Sequence, residues 1–140
     1  GDTYMKGAWI MHTLRSTIND DSVWFEILKE FMVENAKNHV STEDFFNKVK
    51  EKTGNDYSYF SDQYFYTPNQ PELEYYQTDN SFHYRWNNVN DSFIMPIDLL
   101  VNGIEKRVLP NEEFQSFDIT KHSTIEIMDW KFYVKPIEKK

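Results

Sequence analysis

The chain has 140 residues, of which 39% are hydrophobic and 17% aromatic, and it carries a formal net charge of −8 at pH 7. That apolar content suffices for a folded core rich in aromatic rings, whereas the acidic balance argues against nucleic acid as a partner, because phosphate binding requires clustered Lys and Arg. The absence of cysteine excludes disulfides and Cys-ligated zinc, and no apolar run approaches the roughly 18 residues of a membrane span.

The first predicted helix runs from Tyr4 to Ile18, with Asp2 or Thr3 as its N-cap. Residues 8–11 are four consecutive apolar residues, so they point around more than half of the helix and predict burial on most sides. The chain begins only three residues before this helix. We therefore expect part of the covering surface to lie outside these residues, and we expect the first helix to promote self-association.

Three further helices are predicted before residue 68. Either Asp20 or Asp21 can cap the second, whose apolar residues recur at helical spacing: Trp24, Ile27, Leu28 and Phe31. Ser41 and Asp44 predict a capping box at the start of the third helix, and Gly54 closes it. The apolar face of the third helix comprises Phe45, Phe46 and Val49, and that of the fourth comprises Tyr57, Phe60 and Tyr64.

After Pro71 the apolar period changes from about 3.6 residues to about 2, which predicts about seven short strands at sandwich-like spacing. Asn102-Gly103 lies between two such segments and predicts a type I′ hairpin. The last three strands are expected near 114–119, 124–128 and 131–135. The sequence thus predicts an α+β chain, with antiparallel helices over residues 1–68 and an antiparallel immunoglobulin-like β-sandwich over residues 69–140.

Residues with chemical potential do not assemble into a catalytic motif by spacing alone. The four histidines are far apart, without a His-Glu-x-x-His pattern, and we assign no metal to them: His12, His39, His83 and His122. The paired acids Asp20-Asp21 and Glu43-Asp44 are best explained by capping at helix starts. The many aromatic residues leave a carbohydrate- or peptide-binding role open, although the periodicity of Trp24, Phe31, Tyr84 and Trp86 favours a core.

Four segments, in the same order, resemble segments of the aminopeptidase N-type (gluzincin) zinc metallopeptidases. Residues 4–8 resemble the family's Tyr-x-Lys-Gly-Ala, and residues 19–21 resemble its Gly-Asp-x turn. Residues 41–45 resemble Thr-Thr-x-Asp-Phe, and residues 54–64 resemble Gly-x-Asp-Leu-x-x-Phe-x-Gln-Trp. The resemblance covers residues 3 to about 75 and extends to the strands only by position. It departs at Tyr64, where Trp is common, and at Asn69-Gln70, which replaces a Gly-containing turn.

The resemblance implies the C-terminal part of a zinc-dependent aminopeptidase, with the end of a helical catalytic domain followed by a β-sandwich. It further implies that Tyr4 donates its phenol O–H to the oxyanion that forms when zinc-bound water attacks the scissile carbonyl, and that Gly7 leaves room for another backbone. Zinc and the peptide substrate would then be bound by residues of the full-length enzyme outside this chain. The chain alone would be inactive.

Two other functions remain open. One is a stand-alone, aromatic-rich binding module without catalytic function. The other is a member of the family whose catalytic half has lost its metal ligands and serves as a scaffold.

Overall fold

The computed structural model describes residues 2–34 and 41–140, with side chains described from Lys6 onward. Over these ranges the chain forms four helices, α1 (Asp2–Ile18), α2 (Asp21–Glu34), α3 (Thr42–Thr53) and α4 (Ser58–Phe65). Seven strands follow, β1 (Glu72–Gln77), β2 (Ser81–Asn87), β3 (Ile97–Val101), β4 (Ile104–Val108), β5 (Gln115–Asp118), β6 (Ile125–Ile127) and β7 (Lys135–Glu138). The α+β class predicted from the sequence is confirmed.

The helix starts and ends that follow α1's first turn lie where capping residues predict them. The start of α1 does not, because α1 begins at Asp2, so Asp2 and Thr3 are helical residues and the prediction that one of them is the N-cap is wrong. After α1 the backbone of Asn19 turns to a φ of 56°, and Asp20 caps α2 by accepting a hydrogen bond from the N–H of Val23 at 3.1 Å. The predicted capping box of α3 is formed, because Ser41 and Asp44 each accept a bond from the other's backbone N–H. Gly54 ends α3 with a φ of 76°, a conformation that costs glycine little.

The strands form two sheets, one with the order β5-β2-β1-β7 and one with the order β4-β3-β6. The predicted hairpin is confirmed, since Asn102 and Gly103 both have positive φ, as a type I′ turn requires. Pairing is mostly antiparallel, as expected, but β1 and β7 run parallel. The immunoglobulin-like arrangement of the strands stays a prediction.

The last strand begins later than the expected 131–135. Residues 131–134 alternate in polarity, yet they form a buried turn in which the N–H of Val134 donates to the carbonyl of Phe132 at 2.9 Å. Phe132 and Val134 are both buried in the core. The alternation of polarity in residues 131–134 therefore reflects the burial of Phe132 and Val134, and it does not indicate pairing with another strand.

One core crosses from the helices to the sheets. Its members with essentially no exposure come from both parts: Leu14, Ile27, Val49, Phe60, Leu73, Met95, Ile97 and Leu99. Tyr64 of α4 packs its ring near those of Phe93 and Tyr133. The helices thus rest on the strands, while the division into domains at residues 68 and 69 stays a prediction. No helix within the described ranges has the length and apolarity needed to cross a bilayer.

Candidate functional site

Tyr4, the one residue that the resemblance assigns to catalysis, lies in the first turn of α1. Its side chain lies outside the part of the chain that the structure describes, so the role of Tyr4 stays a prediction. Gly7 lies one turn further along α1. A Cβ added at Gly7 would meet no atom within 4 Å, so no described segment makes the close approach that the resemblance implies there.

The apolar run of α1 is only partly covered. Ile10 and Leu14 are buried, but Trp9 is 38% exposed and Ala8 is also exposed. Among the aromatic rings of the described residues, only that of His12, on the same helix, contacts the Trp9 ring, with centroids 5.8 Å apart. Within the described residues α1 is therefore covered on one side only, and the covering surface expected outside these residues stays a prediction.

The strands hold α1 along its C-terminal half. Arg107 of β4 donates to the carbonyls of Ser16 and Thr17 at 2.7 and 3.0 Å, which satisfies acceptors that a helix end leaves without intrahelical partners. One turn earlier, the N–H of Tyr133 donates to the Thr13 hydroxyl at 2.7 Å. These bonds fix the axis of α1, and hence the position of its first turn, relative to the sheets.

Arg107 is itself held by a buried carboxylate. Asp98 of β3 is 1% exposed, and its two oxygens accept from Arg107 at 2.8 and 3.2 Å. Lys131 adds a third bond to Asp98 at 3.2 Å and also pairs with Glu105 at 2.9 Å. Burial lowers the pKa of Lys131, but the bonds to these two carboxylates outweigh it and raise the pKa above its ordinary value. We call Asp98, Arg107 and Lys131 the α1 anchor.

The α1 anchor is not among the features predicted from the sequence, although the sequence contains a pattern that indicates it. The Asn102-Gly103 turn fixes the register of its hairpin, and that register places Asp98 directly opposite Arg107. An acid within an apolar strand, facing a base on the partner strand, indicates a buried ion pair.

Two adjacent residues of the fourth family-like segment join α4 to the strands. Gln63, fully buried, donates to the Asn69 carbonyl at 2.9 Å and accepts from the Asn90 N–H at 2.7 Å. The Tyr64 hydroxyl donates to the Tyr133 carbonyl at 2.8 Å, and burial raises the pKa of Tyr64 well above its ordinary value. Tyr64 therefore stays a neutral donor, and the junction is fully hydrogen-bonded.

Within the described residues, no three His, Cys, Asp or Glu side chains come together in a group that could hold a metal ion. Three of the histidines lie within the described residues, and each has different surroundings. His12 bonds to the Trp130 carbonyl at 3.1 Å, His83 stacks on Tyr76 with centroids 4.3 Å apart, and His122 is an exposed turn residue with a φ of 72°. His39 lies outside the described residues.

The geometry defines an α+β unit in which a helical segment is fixed onto two small sheets. No family model matches the sequence, and no curated protein matches it either. A solved structure of similar fold is that of Legionella pneumophila aminopeptidase A in complex with aspartic acid, with a TM-score of 0.78 and 17% identity. The match covers 97% of this chain and 18% of that enzyme's chain. The chain thus shares the fold of less than one fifth of an aminopeptidase.

Proposed function

We propose that this chain is the C-terminal part of a zinc-dependent aminopeptidase of the aminopeptidase N type, which hydrolyses N-terminal residues from peptides. Residues 1–68 would end its helical catalytic domain, and residues 69–140 would form its immunoglobulin-like β-sandwich. The observation that carries the proposal is the fold match to part of an aminopeptidase over 97% of the chain. The four segments that resemble the aminopeptidase N family occur in the family's order along the same chain.

In this proposal Tyr4 stabilises the tetrahedral intermediate. A phenol with an ordinary pKa near 10 is neutral at pH 7 and donates its proton in a hydrogen bond without carrying charge. One such donor to an oxyanion lowers the transition-state free energy by about 2.7–4 kcal/mol in a site from which water is excluded. The α1 anchor supports the proposal, because it holds the helix that carries Tyr4 in a fixed direction.

Zinc does not fit the described residues of this chain, because no ligand group of suitable composition is formed there. In the full-length enzyme, zinc and the general base would be supplied by residues outside this chain, and the isolated chain would be inactive.

Exposed apolar side chains on the helices also support a covering partner surface. On α2, Phe25, Met32 and Val33 are 55%, 69% and 72% exposed, and Trp9 of α1 is exposed as well. Single exposed apolar residues are ordinary, but several on neighbouring helices are typical of a surface that another protein segment covers. A catalytic domain packed on α1 and α2 would cover them.

The coding sequence upstream of Asp2 tests the proposal directly. A His-Glu-x-x-His helix followed by a further Glu ligand is the expected result. An unrelated module there would favour the stand-alone binding protein, and a domain of the same fold without the ligands would identify the scaffold. Zinc-dependent aminopeptidase activity in the purified 140-residue chain would contradict the proposal, because this chain would then contain its own metal site.

A further inference from the structure

A cleft lies between an edge of one sheet and an edge of the other. β6 is an edge strand of one sheet, and β7 is an edge strand of the other. Their inward-facing residues Ile125, Ile127 and Pro136 line a cleft of about 400 Å³ together with Tyr75 and Trp130. We call this the β6–β7 cleft.

The aromatic walls of the cleft are held in place. Tyr75 stacks on the buried ring of Phe82, with centroids 5.8 Å apart and planes 27° from parallel. Trp130 is 45% exposed, but its backbone carbonyl accepts a hydrogen bond from His12 of α1. The Tyr75 ring is therefore held by packing and Trp130 is held through its backbone, which limits the entropy lost on binding.

Carboxylates surround these rings. Glu126 and Asp129 line the cleft, and Glu138 lies beside Tyr75 in the parallel register of β1 and β7. None of the three forms an ion pair with another residue of the described ranges. The pKa of Tyr75 is raised by burial and then by the negative charges of Glu138 and Asp129, so both carboxylates act at the ring.

The geometry points to an extended peptide segment of a partner protein, docked in the β6–β7 cleft through a Lys or Arg side chain. Aromatic faces attract such cations, and carboxylates without a cation partner complement their charge. Edge strands accept an extended chain by backbone pairing. This inference does not depend on the aminopeptidase proposal, because no residue of α1's first turn takes part.

Fluorescence anisotropy with a fluorescein-labelled peptide of alternating Val and Lys tests the inference on the whole chain. The expected result is saturable binding that a matched Val and Gln peptide does not show. Trp130→Ala should weaken binding by roughly threefold to thirtyfold, the range that one cation–π contact contributes. The paired change Asp129→Asn with Glu138→Gln should weaken it at least as much, because it removes both charges near Tyr75.

The matched control is Glu112→Gln with Glu113→Gln, which removes the same charge from an exposed loop between β4 and β5. It should leave the affinity within about twofold. An equal loss in this control would show attraction by net charge alone and would overturn the site. Amide shifts in an NMR titration of the unaltered chain should concentrate at residues 125–130 and 135–138, and shifts elsewhere would also overturn it. A dimer that Trp130→Ala abolishes would identify a second copy as the occupant and would refute the proposed partner.

Discussion

Replacing Arg107 by Met tests whether the strands hold α1. The change removes two bonds to the buried carboxylate of Asp98 and two bonds to the carbonyls of Ser16 and Thr17. Met retains most of the length of the aliphatic stem, so the loss reflects the guanidinium rather than packing.

The size of the effect follows from the surroundings of Asp98. Removing one partner of a buried ion pair costs about 3–5 kcal/mol. Here the Arg107 side chain is 29% exposed and Lys131 remains bonded to Asp98. The cost of breaking the ion pair is therefore expected at the lower end of that range. Loss of the bonds to the α1 carbonyls adds about 1 kcal/mol to this cost, so we expect a total of about 4 kcal/mol, or roughly 14 °C in Tm.

Urea denaturation followed by circular dichroism measures the free energy of unfolding, and amide exchange shows where protection is lost. Protection should fall first in the last turns of α1, from Thr13 to Ile18. Lys121→Met is the control, because Lys121 is exposed in the turn before β6 and should cost less than about 0.5 kcal/mol. The double change Asp98→Asn with Arg107→Met should cost less than the sum of the two single changes, since each single change already breaks the same ion pair. A loss no larger than that of the control, or uniform loss of protection, would refute the anchor.

Three further predictions concern other parts of the fold. Tyr64→Phe should destabilise the chain by about 1–2 kcal/mol, because the Tyr133 carbonyl loses its donor. Gly7→Ala should stabilise the isolated chain by about 0.5–1 kcal/mol, since the added Cβ meets open space. The bond from Lys139, followed by that from Arg85, lowers the pKa of Glu74 below its ordinary 4.5; its stabilising contribution is therefore complete above pH 4.5 and is lost as pH falls through the lowered pKa.

Urea denaturation at fixed pH checks the first two predictions. Midpoints of urea denaturation, measured from neutral to acidic pH, check the third. The exposed Tyr66 and Glu112 supply controls, since Tyr66→Phe and Glu112→Gln should change stability by less than about 0.5 kcal/mol. In the Glu74→Gln chain the denaturation midpoint should fall less as the pH is lowered through the acidic range. A Glu74→Gln chain with unchanged acid dependence, an unaffected Tyr64→Phe chain, or a Gly7→Ala chain less stable than the original would each contradict its prediction.

Local signals predicted much of the fold because they act within a few residues. The Ser41 and Asp44 capping box, the positive φ of Gly54 and the Asn102-Gly103 turn each depend only on neighbouring backbone, and each is confirmed. The buried faces of α2 and α3 followed from helical spacing in the same way.

The misses concern features that depend on distant partners. Period-2 alternation does not distinguish parallel from antiparallel pairing, so the parallel register of β7 on β1 carried no local signal. Phe132 and Val134 alternate because both point into the core from a turn. The pairing of Asp98 with Arg107 could have been predicted by counting residues outward from the Asn102-Gly103 turn. The β6–β7 cleft could not, because it lies between edge strands of two different sheets.

We propose that Tyr4 serves an aminopeptidase, and Tyr4→Phe in the full-length protein tests this proposal most directly. With folding unchanged, kcat for hydrolysis of an N-terminal residue should fall by about 10²–10³ with little change in KM, because the lost bond forms only in the transition state. Tyr66→Phe should leave kcat unaltered. An unaffected kcat in the Tyr4→Phe enzyme would contradict the role assigned to Tyr4.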